Sequence, residues 1–140
     1  MKLVHRGLGR PFPHPSFSKA KYVLTFIDDL SRHTFVYFLN QKFEVFEYFQ
    51  DFKYFVEKQT RKFIKVLRID NGGEYVNQRF EKFCILEGID LQHTIPYSPQ
   101  QNGVAERKNR SLKEMANSMI HSKSLAPQYW GKAINCAYYI

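Results

Sequence analysis

Tyr22-Val23-Leu24-Thr25-Phe26-Ile27 is an unbroken apolar, β-branched and aromatic run, which predicts a buried strand. Asp28-Asp29-Leu30-Ser31-Arg32 follows as a tight turn, because Asp and Ser side chains hydrogen-bond nearby backbone. Thr34-Phe35-Val36-Tyr37-Phe38-Leu39, inside His33 to Asn40, is the second arm of a hairpin. Phe43, Phe46, Phe49, Phe52 or Lys53, and Val56 then recur every three to four positions. That spacing predicts a helix over 42–59 with one buried aromatic face, and Glu44, Glu47, Asp51 and Glu57 lie mainly off it. Phe63 to Ile69 reads as a strand running into Asp70, and Asn77 to Gly88 as a short helix with Phe80, Phe83 and Cys84 inward. Gly88 is placed to close that helix. Ile89 to Ile95 is a short strand, and Pro96 to Gly103 a loop. Val104 to Ser122 is a long helix whose inner stripe is Val104, Leu112, Met115, Ala116 and Met119. Pro127 opens a last helix with Trp130, Ala133, Ile134, Ala137 and Tyr138 inward. At the other end, Lys2 to Arg6 suits a short strand, after which Gly7, Gly9, Pro11, Pro13 and Pro15 are expected to prevent regular structure. Periodicity alone thus gives an α/β chain with a mixed sheet.

Composition narrows the partners more than the fold. The 140 residues suit one domain, and 44% apolar content with 16% aromatics is enough for a core. A net charge of +8 points to a polyanionic partner. Before Asp28 the chain has no Asp or Glu, while Lys2, Arg6, Arg10, Lys19 and Lys21 are all cationic. Cys84 and Cys136 are isolated and lack zinc-ligand spacing, so both are expected as buried thiols. No signal peptide and no apolar run of membrane-spanning length is present, and a membrane partner is not expected.

Three blocks carry a resemblance: Arg68-Ile69-Asp70-Asn71-Gly72-Gly73-Glu74-Tyr75, Pro96-Tyr97-Ser98-Pro99-Gln100-Gln101-Asn102-Gly103, and Val104-Ala105-Glu106-Arg107-Lys108-Asn109-Arg110. In that order they resemble the integrase catalytic core of copia-type LTR retrotransposons, a Pol polyprotein segment. The likeness extends to Tyr22–Asp29 and Trp130–Ile140. It implies an RNase H-like fold, a mixed five-stranded sheet with helices on both faces. It also implies a DDE metal site performing DNA 3′-end processing and strand transfer with Mg2+ or Mn2+, DNA as partner, action in the nucleus, and possible homo-oligomers. Asp70 and Glu106 become the catalytic and metal-binding carboxylates; hard oxygen ligands on rigid elements are what such an ion needs. Cores of this kind continue past the equivalent of Ile140, so residues 1–140 are expected to be a core truncated at both ends. Neither the zinc-binding N-terminal domain nor the C-terminal domain is expected within them.

The resemblance also exposes a departure. The first catalytic Asp of such cores follows a string like Leu-Val-His-x; here Leu3-Val4-His5 matches and Gly7 occupies the Asp position. Gly9 and Arg10 further disturb the local motif. The first strand therefore lacks the carboxylate that would bridge two metals, unless Asp28 substitutes. Downstream, Arg110 and Lys113 follow Glu106 by one and two helical turns, and Arg107 and Lys108 add charge to neighbouring faces. These four are the candidate nucleic-acid-binding residues; the plainer reading is a solvated helix with a Glu106–Arg110 pair. Asp70 before Asn71-Gly72-Gly73 likewise has a plainer reading as a turn former. Three functions stay open: an integrase with a damaged site, a non-catalytic basic nucleic-acid-binding module, or a folded fragment.

Overall fold

The run starting at Tyr22 becomes the second strand of a five-stranded sheet in the computed structural model. Residues 2–8, 19–69, 77–93, 103–124, 126 and 129 are described, without the side chains of residues 103, 105 and 106. The strands are β1 (Leu3–Leu8), β2 (Tyr22–Asp28), β3 (Thr34–Leu39), β4 (Val66–Ile69) and β5 (Asp90–His93), in the order β3-β2-β1-β4-β5. β1 runs antiparallel to β2 and parallel to β4; β2 is antiparallel to β3, and β4 parallel to β5. The helices are α1 (Val45–Thr60), preceded by a 3-10 turn at Lys42–Glu44, α2 (Gln78–Leu86) and α3 (Gly103–Ser122).

One face of the sheet meets α1 and α2. Val4, Leu24, Phe26, Leu67 and Ile69 pack there with Phe46, Phe49, Phe52, Val56, Phe80 and Cys84. The other face meets α3, where Val23 packs with Ala116, Met119 and Ile120. The mixed five-stranded sheet with helices on both faces is therefore as expected. Local signals set the helix ends. The Glu44 carboxylate accepts from the Gln41 backbone N–H at 2.9 Å, and Asn77 Oδ1 accepts from Phe80 N–H at 2.9 Å. Gly88, at φ +69°, lets Ile89 N–H donate back to the Cys84 carbonyl at 2.8 Å, a glycine-closed helix end. On α1, Lys53 bonds Glu57 and Glu87, tying it to the end of α2. Burial works against that ammonium's charge, but the two carboxylates raise its pKa nonetheless. The Cys84 thiol is buried, and burial pushes its pKa up to about 11, as an inert core thiol requires.

Three expectations need correction. The first strand does not stop at Arg6: Gly7 pairs with Thr25 and Leu8 with Leu24. The ladder to β2 continues past Arg6 and outweighs the roughly 0.5–1 kcal/mol that a glycine costs in a strand. Phe43 has the helical spacing but sits in the 3-10 turn, 63% exposed. Phe63 does not begin a strand; it is 74% exposed, and pairing starts at Val66. The loop expected over 96–103 lies outside the described residues except Gly103, which begins α3; the helix expected from Pro127 lies outside them, as does Cys136.

Candidate functional site

The parity of β1 decides what faces α3. Val4 belongs to the layer beneath α1, and Leu8 packs against that layer, so the odd positions Leu3, His5 and Gly7 face the opposite way. Their partner on β2 confirms it. Thr25 lies opposite Gly7, and its hydroxyl reaches across to Asn109 Oδ1 on α3 at 3.0 Å. The same hydroxyl lies 3.4 Å from the Gly7 carbonyl oxygen. Thr25 is fully buried, so this junction of β1, β2 and α3 is a small polar cluster between apolar layers. The oxygen donors it offers are a hydroxyl and an amide, and Gly7 has no side chain to add one. Hard divalent cations favour carboxylates, so these three residues by themselves do not fit a pair of such ions. Among the described residues no group of three or more His, Cys, Asp or Glu side chains is gathered that could hold a metal. Asp70 and the Glu106 side chain lie outside the described residues, and with them the expected approach of the two carboxylates.

Asp28 cannot take the place of a carboxylate at position 7. It pairs with Val4, three register steps down β1, which at ~3.3 Å per residue is about 10 Å away. It also shares parity with Leu24 and Phe26, on the α1 side of the sheet. Its Oδ2 closes the turn instead, accepting from Ser31 N–H at 3.1 Å and Ser31 Oγ at 2.7 Å. Asp29 is likewise occupied. Its Oδ1 lies 2.7 Å from Nε2 of the buried His5 and 3.7 Å from Nη1 of Arg32.

The hydrogen bond from His5 holds the Asp29 carboxyl below its ordinary value of 3.8, against a smaller opposing effect of burial. A carboxyl depressed on folding stabilises the fold above that pH, and the contribution disappears as pH falls through the lower folded value. Asp29 is 44% exposed, so the expected contribution is small. Asp29→Asn should cost about 1 kcal/mol or less at pH 7. The gap between the urea midpoints of the two proteins should close below pH 3.8. A gap unchanged at pH 3 would remove the ionised pair as its cause.

α3 divides the four predicted nucleic-acid-binding residues. Leu112 and Ala116 are buried against the sheet. At ~100° per residue, Val104, Lys108 and Ser111 fall within an arc of about 60° on one flank, and positions 106, 109 and 113 within a similar arc on the opposite flank. The Asn109–Thr25 bond orients the second flank toward β1. The first flank faces the hairpin, where Val104, Arg107, Lys108 and Ser111 line a groove with Ile27, Arg32 and Thr34. Arg107 and Arg110 lie toward solvent, and both are exposed. Lys108 and Lys113, half-buried, thus belong to different surfaces. Sequence reading also missed Arg6. Counted among the basic N-terminal residues, it is fully buried, and it shares parity with Val4 and Leu8 beneath α1 and α2. Only the alternation about His5 and Gly7 could have signalled that.

This sheet order, with α1 and α2 on one face and α3 on the other, defines an RNase H-like α/β domain. The fold is matched at a TM-score of 0.73 and 18% identity by a chain of the simian T-cell lymphotropic virus intasome solved in complex with PP2A regulatory subunit B56 gamma. The match covers 99% of this chain and 47% of that one. The Integrase core domain family matches residues 11–99, and the chain belongs to that family. It is 43% identical over all 140 residues to the retrovirus-related Pol polyprotein from transposon TNT 1-94 of Nicotiana tabacum. It is 34% and 32% identical, over 91% of its length, to those from transposons RE2 and RE1 of Arabidopsis thaliana. The chain spans about a tenth of each polyprotein: 10% of the first and 9% of the others. No helix among the described residues is long and apolar enough to cross a membrane.

Proposed function

We propose that this chain is the core of a polynucleotidyl transferase acting on DNA ends, and that its metal site lacks one ligand. One observation carries the reading: Gly7, where the resemblance calls for a carboxylate, lies on the α3 side of a strand parallel to the one that leads into Asp70. In the parallel register Leu3 pairs with Val66, Val4 with Leu67 and His5 with Arg68. Asp70 follows in sequence directly on Ile69, the last residue of β4. Glu106 stands one helical turn before Asn109, which contacts Thr25 beside Gly7. Strand ends and helix thus support a three-carboxylate site, of which Asp70 and Glu106 remain. Divalent metal supplies activation of the attacking oxygen in such chemistry. The residues of this chain supply binding: Arg110 and Lys113 beside Glu106 would hold the phosphates of a DNA end. Nuclear action and self-association follow from the same reading.

A joining assay tests it, with a labelled DNA end, a target duplex and magnesium. The parent chain should join nothing above a protein-free control, and Gly7→Asp should yield a weak product that Asp70→Asn removes. Joining by the parent that Asp70→Asn abolishes would overturn the incomplete-site reading while keeping the transferase. The second reading, a non-catalytic nucleic-acid-binding module, is favoured by the net charge of +8 and the cations along α3. Binding without joining by either protein would select it.

A further inference from the structure

The flank of α3 that faces away from Gly7 has chemistry of its own. Between it and the β2–β3 hairpin lies a groove of about 430 Å³ lined by Ile27, Arg32, Thr34, Val104, Arg107, Lys108 and Ser111. Three of these seven are cations and two carry hydroxyls, and no acidic side chain is among them. Its two apolar lining residues are Ile27 of β2 and Val104 of α3. The hairpin supplies one wall. Asp28 holds the turn through Ser31, and Arg32 follows at φ 62°, a left-handed conformation that brings the guanidinium to the groove. Arg32 does touch Asp29, but at 3.7 Å, with the two side chains 57% and 44% exposed. Such exposed pairs are worth little, and five N–H donors leave a guanidinium free to take a second anion.

We propose that this groove is a phosphodiester-binding site that seats nucleic-acid backbone on the hairpin side of α3, separately from the flank bearing Glu106, Asn109 and Lys113. The convergence of three cations and two apolar side chains on one groove distinguishes it from scattered surface charge. Arg32 and Arg107 present forked donors that match phosphate oxygens, Lys108 adds a point charge, and the Ser111 hydroxyl can donate to a bridging oxygen. Apolar Ile27 and Val104 suit the sugar face between successive phosphates. The proposal goes beyond the transferase reading, since it needs neither metal nor a carboxylate at position 7. With such a site, α3 would be gripped by nucleic acid on both flanks, the bound backbone would cross over the exposed Arg107 and Arg110, and the contact would persist in a chain that does no chemistry.

The test is fluorescence anisotropy with a labelled 20-base-pair DNA duplex across a salt series. Arg107→Ala/Lys108→Ala should lower the steepness of the log-affinity against log-salt line by about two, and Arg32→Glu should lower it by at least one more. Lys62→Ala/Lys82→Ala removes the same two charges from exposed positions outside the groove and should leave the slope unchanged. Arg110→Ala/Lys113→Ala should lower it as well, and because one backbone would pass both Arg107 and Arg110 the two effects are not expected to add exactly. Far-UV dichroism melts of every variant verify that the fold is kept, which matters most for the half-buried Lys108 and Lys113. A slope unaltered by the groove substitutions, or altered equally by the Lys62/Lys82 control, overturns the proposal. If the groove variants bind as the parent does while Arg110→Ala/Lys113→Ala fails, the groove is wrong and the transferase reading stands. If neither protein joins DNA but the groove variants lose their slope, the groove stands alone.

Discussion

Phe52→Ala is expected to cost about 3–5 kcal/mol of unfolding free energy, the range for emptying a buried aromatic site. For a domain of ordinary stability, about 5–15 kcal/mol, that is roughly a fifth or more of the total. The ring is fully buried. It stacks on Phe26 with centroids 4.5 Å apart and planes 10° from parallel, and meets Phe35 edge-on at 5.1 Å. Phe26 also contacts Phe49, which stacks on Phe80 of α2 at 5.2 Å. Removing Phe52 therefore opens a void between α1 and two strands, and aromatic neighbours that stack across it cannot collapse to fill it. Phe43 has the same sequence spacing but is 63% exposed, so Phe43→Ala should change stability by less than about 0.5 kcal/mol. Equilibrium urea unfolding of both variants reads the difference. Equal losses would mean that the aromatic stack contributes nothing beyond ordinary contact.

The second large effect belongs to position 7. Gly7→Asp should bind manganese more than about 10–100-fold more tightly than the parent chain, since that range is what losing a mere outer-shell partner of a metal costs and a direct ligand is worth more. The new carboxylate would emerge on the α3 side of β1, opposite Thr25 and toward Asn109. Without metal, a carboxylate there meets a hydroxyl and an amide in a buried setting, so Gly7→Asp should be less stable than the parent in a chelator. Manganese should then raise its melting temperature and leave the parent's nearly unchanged, because a ligand that binds only the folded state stabilises it by mass action. Asp70→Asn in the Gly7→Asp background should abolish the gain. Asp28→Asn should not, since Asp28 sits about three strand steps away, on the other face of the sheet. Calorimetric titration distinguishes these cases. Manganese binding by the parent that equals Gly7→Asp, or that depends on Asp28, would show that position 7 is not the missing ligand.

Where a residue's own neighbours in sequence set its role, the role was legible. The β2–β3 hairpin followed from two apolar runs around Asp28-Asp29-Leu30-Ser31-Arg32, and Asp28 does bond Ser31 as the turn chemistry requires. Asn77 and Gly88 marked the ends of α2 because capping and left-handed closure are local acts. Period alone misjudged Phe43 and Phe63, since burial depends on what lies opposite and neither has a layer above it. Glycines and prolines after Arg6 suggested that β1 ends there, yet pairing with β2 carries it through Leu8.

The candidate site shows the same division. The order of Asp70 and Glu106 along the chain, the glycine at position 7 where the resemblance calls for Asp, and the excess of cations could all be read without coordinates. Tertiary structure alone decided which way Gly7 faces, that Thr25 joins it to Asn109, and that Asp28 lies on the wrong face at the wrong height. It also withdrew Arg6 from the basic surface and sorted Lys108 and Lys113 onto opposite flanks of one helix. The reason is physical: a strand's alternation and a helix's turn define relative faces only, and the absolute assignment comes from the partner each face is packed against.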